Sequence, residues 1–173
     1  MSENFMKNSF EPIIDNNSKI LILGSLPSDK SIEKYEYYGN KTNQFWNIIS
    51  MCFDGEKINF NNYDEKIAYL HEHHIALWDV YSCANRKGSL DSNIKNAEFN
   101  DIKNLLKFYP SIVKIVTNGR ASQKGFEKYL KLNNFKFDYH YVPSSSPLNA
   151  SLNFEEKVLI WKKIIIEKNF KNF

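Results

Sequence analysis

The chain has 173 residues, 42% of them hydrophobic and 25% charged, with a formal net charge of +3 and an isoelectric point near 8.7. Those values are ordinary for one soluble globular domain, residues 1–173, with enough chain for a full core. They permit nucleic-acid contact without demonstrating it, since a dedicated electrostatic binder carries a stronger positive bias, and no apolar run nears the roughly 18 residues that span a membrane.

The opening Met-Ser-Glu-Asn-Phe lacks the basic-then-apolar order of a signal peptide. Cys52 and Cys83 have no Cys-x-x-Cys partner and read as reduced core thiols, so a cytoplasmic protein is expected. Residues 1–18 form a polar lead-in that ends in a turn. Lys19–Leu23 follows as a strand whose apolar run has no polar face, which predicts burial on both sides. Gly24-Ser25-Leu26-Pro27-Ser28 stops it. Beyond lies a cluster of aromatics and amides: Tyr37, Tyr38, Asn40, Asn43, Phe45 and Trp46. Asn43–Phe53 has helical spacing, with Phe45, Ile48, Ile49 and Cys52 on one face.

A second helix is predicted over Asp64–His74 and a second strand over Ile75–Val80. The strand ends at Tyr81-Ser82-Cys83-Ala84, before a polar, glycine-containing loop through Ser92. Asn100 is placed to cap a helix through Phe108, which Pro110 closes. Lys114–Asn118 is a third strand, and Gly119 turns it into a helix over Arg120–Leu132. Lys136–Val142 is the fourth strand. Ser151 or Asn153 caps the last helix, from Phe154 to about Lys168. Strands alternating with helices predict a parallel sheet with helices on both faces. In such sheets ligands bind outside the carboxyl ends of the strands.

Two loops leave the predicted strands at that edge. Gly24–Ser28 lacks the spacing of a phosphate-binding loop, and no second glycine completes a dinucleotide fingerprint, so no nucleotide cofactor is expected. Ser25 is not flanked as the nucleophile of a Gly-x-Ser-x-Gly elbow would be. His71, His73 and His74 read as a solvated helix end rather than a metal site, and His140 as a packing residue. Phe45 and Trp46 anchor the following helix, which leaves Tyr38, Asn40 and Asn43 for function. A ring can stack under a base, and an amide can read a base edge or hold a water. Pro143-Ser144-Ser145-Ser146-Pro147 is either a surface turn or a stiff loop that presses hydroxyls and backbone amides on phosphates. Arg86, Lys87, Arg120 and Lys124 read as ordinary solvated charges.

Six segments in register carry a resemblance: Ile-Leu-Gly-Ser-Leu-Pro-Ser, Tyr-Tyr-Gly-Asn-x-x-Asn-x-Phe-Trp, Leu-Trp-Asp-Val, Gly-Ser-Leu-Asp-Ser, Thr-Asn-Gly and Pro-Ser-Ser-Ser-Pro. Together they resemble the uracil-DNA glycosylase superfamily, nearest its hypoxanthine-DNA (deoxyinosine) branch. The resemblance implies a three-layer α/β/α fold with a central, mostly parallel four-stranded sheet. It implies excision of a deaminated base, hypoxanthine first and uracil second, from double-stranded DNA by a monomer without metal or cofactor. Gly24, Ser25, Leu26, Pro27 and Ser28 then match the motif beside the sugar of the flipped nucleotide. Tyr38 matches the ring that stacks on the base; Phe45 and Asp79 join the substrate-binding set. Pro143, Ser144, Ser145, Ser146 and Pro147 match the loop that presses on DNA. Leu26 stands where relatives carry a catalytic Asn or Asp, so the resemblance moves that role to Asn40, with Asn43 as the alternative. A non-catalytic binder of modified or single-stranded nucleic acid, or a hydrolase of free nucleosides, are the rival expectations.

Overall fold

The computed structural model describes residues 5–167. Four strands, β2 (Ile20–Gly24), β3 (Ile75–Asp79), β6 (Lys114–Asn118) and β7 (Tyr139–Val142), make one sheet in the order β3-β2-β6-β7. Every neighbouring pair in it is parallel. Successive side chains of a strand face opposite sides of its sheet, and β2 shows the consequence. Ile22 joins a core with α2 (Phe45–Asp54), α3 (Tyr63–Glu72) and α6 (Phe154–Ile166). Leu21 and Leu23 join a second core, with α4 (Ile102–Phe108) and α5 (Arg120–Leu132). The result is the expected three-layer α/β/α arrangement.

The lead-in and the polar loop differ from their expectations. Met6–Asn8 forms β1, Tyr81–Asn85 forms β4 and Lys95–Phe99 forms β5, a separate antiparallel sheet in the order β1-β4-β5. β1 and β5 are mostly exposed, so no alternation of apolar and polar residues announced them. Ile13 also bridges Leu77, which ties the lead-in to the edge of β3.

Several boundaries shift for local reasons. Asp29–Lys34 forms a short helix, α1, capped by the Ser28 side chain. Asp101, rather than Asn100, caps α4. Asn100 instead donates to the carbonyls of Asp79 (2.8 Å) and Tyr81 (3.2 Å), pinning the β3–β4 junction. Asn153 caps α6 in a reciprocal box with Glu156, and the expected extension to Lys168 lies outside the described residues. His71 pairs with Asp15 at 3.0 Å and His73 stacks on Phe53, so this helix end is packed rather than merely solvated. Cys52 is a buried free thiol, and Cys83 a half-buried one.

Candidate active site

A pocket opens where β2, β3 and β6 end, lined by both loops that the sequence singled out. Gly24 closes β2 opposite Asp79, its register partner on β3. A Cβ on Gly24 would lie 2.6 Å from Asp79 Oδ1 and 3.3 Å from the Tyr38 hydroxyl. Only glycine leaves room there for both.

Asp79 is the buried acid of the floor, 5% exposed. Its Oδ2 accepts from the Ser9 hydroxyl at 3.1 Å, a bond the lead-in supplies. Its Oδ1 has no hydrogen-bond partner among the described residues. Burial raises this carboxyl to about 7, although the Ser9 bond and the Arg86 charge pull it down. A carboxyl so poised can accept from a base N–H when ionised or donate to a base carbonyl when neutral.

Tyr38 forms a wall. Its backbone is left-handed, with φ 53°, and its ring stacks on Phe45 at 4.0 Å and 14°. Asn118 at the end of β6 donates to the Tyr38 hydroxyl at 3.1 Å. Burial pushes that hydroxyl well above its ordinary range. Phe45 therefore belongs to the core expected of it: it backs Tyr38 and does not line the pocket.

Asn40 and Asn43 both line the pocket. The Asn40 side-chain oxygen accepts from the Thr42 N–H (3.1 Å) and hydroxyl (2.9 Å). Asn43 accepts from the Phe45 N–H at 3.0 Å, just ahead of α2. Each side-chain nitrogen lacks an acceptor among the described residues, so both can donate to a ligand.

Asn118 also donates to Ser145 Oγ (2.9 Å) and accepts from Ser145 N–H (3.0 Å), which joins the serine loop to Tyr38. The Gln44 N–H donates to the Ser145 carbonyl at 3.0 Å. Lys157 of α6, 2% exposed, donates to Gln44 Oε1 (2.9 Å) and the Ser146 carbonyl (3.4 Å). Ser144, Ser145 and Ser146 thus face the pocket, whereas Pro143 is buried, its carbonyl bonded to Trp161, and Pro147 is exposed.

Arg86 overturns its reading as a solvated charge. It is 1% exposed and donates to the carbonyls of Leu26 (3.3 Å) and Pro27, clamping the Gly24–Ser28 turn from β4's end. Asp91, beyond β4, accepts from the Ser25 hydroxyl at 2.7 Å and lies 3.6 Å from Arg86. Ser28 lines the pocket, but its hydroxyl is held by the α1 cap. The one clue to Arg86 is compositional: lysine supplies all but two of the 23 basic residues. An arginine is kept where a fork of donors is needed.

A family model described as the uracil DNA glycosylase superfamily matches residues 11–165. The chain belongs to that superfamily. Among relatives in it, a hypoxanthine DNA glycosylase of Methanosarcina acetivorans is 40% identical over 144 residues, 83% of this chain and 89% of its own. One from Methanosarcina barkeri is 40% identical over 116 residues, 67% of this chain and 73% of its own. A solution NMR structure of a candidate uracil DNA glycosylase from M. acetivorans superposes with a TM-score of 0.78 at 36% identity. It covers 92% of this chain and 96% of that one. The α/β/α frame thus matches that of a solved relative, and the chain is a DNA glycosylase.

Proposed function

We propose that this DNA glycosylase excises hypoxanthine from double-stranded DNA by monofunctional hydrolysis of the N-glycosidic bond. The observation that carries the reading is the meeting of Tyr38, Asp79, Asn40 and Asn43 in one pocket with the serine loop at its rim. The flipped base stacks on Tyr38, and its lactam edge, one N–H beside one carbonyl, meets Asp79 Oδ1. Asn40 donates toward the sugar or an attacking water, with Asn43 as its alternate. The departing base carries negative charge, so hydrogen-bond donors around it lower the barrier. No lysine lines the pocket among the described residues, which supports hydrolysis without a strand-breaking Schiff-base step.

Ser144–Ser146 meet the flanking phosphates. Leu148, 68% exposed just past them, is the apolar wedge that fills the vacated stack. The protein is read as a monomer acting wherever DNA lies, in the cytoplasm and its nucleoid. The names of the relatives favour hypoxanthine over uracil.

Labelled duplexes with a single hypoxanthine or a single uracil test the reading. Breaks at hypoxanthine that need alkali treatment are expected, since the enzyme leaves an abasic site. Breaks at uracil alone would change the substrate, and two intact duplexes would refute the assignment.

A further inference from the structure

The pocket contains a carboxylate with no task in the base-recognition scheme. We propose that Asp91, working with Ser25, is the catalytic base that takes the proton of the attacking water. The proposal rests on the glycosylase reading above and adds to it the group that activates water.

Asp91 begins the short 3-10 turn Asp91–Asn93 within the β4–β5 connection. Its Oδ1 accepts from Ser25 Oγ at 2.7 Å and lies 3.6 Å from Arg86 Nη1, while the side chain stays 48% exposed. Its Oδ2 has no hydrogen-bond partner among the described residues. Both residues line the pocket. Because Ser25 spends its proton on Asp91, the serine oxygen is left as an acceptor. A water that donates one hydrogen to Ser25 Oγ and the other to Asp91 Oδ2 has its lone pair free for the sugar.

The other ionisable groups of the pocket are committed elsewhere. Asp79 is buried on the floor beneath the base, with its Ser9 bond. Arg86 is a cation spent on the carbonyls of Leu26 and Pro27. The hydroxyls of Tyr37 and Tyr38 are pushed up by burial and do not serve as acceptors of a water proton near neutrality. No histidine lines the pocket, and Leu26, the central residue of the β2 loop, brings no ionisable group. Asp91 remains, carried beside the site by the connection between β4 and β5.

In the step itself, the bond from C1′ of the deoxyribose to the base nitrogen breaks, and its electron pair leaves with the base. A water lone pair forms the new C1′–O bond, and the water's proton passes to Asp91 Oδ2. The base anion takes a proton from solvent, and Asp91 returns its own to solvent. Before the proton moves, the Asp91 charge also opposes the positive charge that grows on the sugar.

The test is single-turnover cleavage of the hypoxanthine duplex with excess enzyme, beside duplex affinity measured by mobility shift. Asp91→Asn keeps the side chain's size and should cleave about 100-fold more slowly, with affinity within about threefold of the unaltered protein. Asp91→Ala should lose as much and regain about tenfold when formate supplies the missing carboxylate. Ser25→Ala should lose less, about tenfold, since the carboxylate remains. Cleavage by Asp91→Asn within about threefold of the unaltered protein would overturn the proposal. So would a loss in Asp91→Ala that formate leaves unrestored, which reduces Asp91 to a prop for Arg86. If the unaltered protein cuts neither duplex, the glycosylase reading itself fails, an outcome read before any variant is made.

Discussion

At Asp79, burial raises the carboxyl from 3.8 to about 7, so folding takes up a proton there as the pH falls. Stability from this group is fully present below the unfolded value and lost as pH rises through about 7, a swing of roughly 4 kcal/mol. Asp79→Asn removes the swing: relative to the native sequence, the variant should gain stability as pH rises from about 4 to about 7 and keep that gain above it, read by denaturant melts. Asn40 and Asn43 separate by a different measurement. Asn40→Ala should retain hypoxanthine-duplex binding and cleave about 100-fold more slowly. Asn43→Ala should also lose about 1 kcal/mol of stability, because its oxygen holds the Phe45 N–H at the start of α2. Residues of this kind were legible because Tyr38, Asn40 and Asn43 stand together in one short segment. Asp91 stands in the Gly-Ser-Leu-Asp-Ser segment, but its meeting with Ser25 spans 66 positions and no local pattern encodes it.

Between elements, the pocket depends on bonds that cross from one layer to another. Lys157 lies in α6 with no carboxylate within ion-pairing distance among the described residues, and its ammonium holds Gln44 and the serine loop together. Lys157→Met keeps the packed stem and loses the donors. Replacing a buried charge by an apolar side chain of similar volume is often neutral for folding, so melting should change by under about 1.5 kcal/mol. Duplex affinity should fall about tenfold as the loop loosens. Leu148→Ala should slow cleavage of a paired duplex more than cleavage of a single strand, where no stack needs filling, as parallel time courses would show. At this scale β6 and α5 read true to the residue, because a buried run and a 3.6-residue stripe each leave a plain signal. β1 and β5 left none: their residues pair through backbone groups and are mostly exposed; β4, half-buried between them, has no plain alternation of its own.

Across the whole molecule, the alternation of apolar runs with helical stripes was sufficient for the layered sheet. The edge at which the site opens followed from the strand direction. The bonds from Gln44 and Asn118 to Ser145 carry a further consequence. They fasten the two rims of the pocket to each other before any DNA arrives, so no clasp has to swing shut around a lesion. On the proposed reading, discrimination passes to the breathing of the helix, and a damaged base is found as fast as its own pair lets go. Rates should rank with the fragility of the opposing pair, quickest where hypoxanthine faces a poor partner and slowest where it faces cytosine.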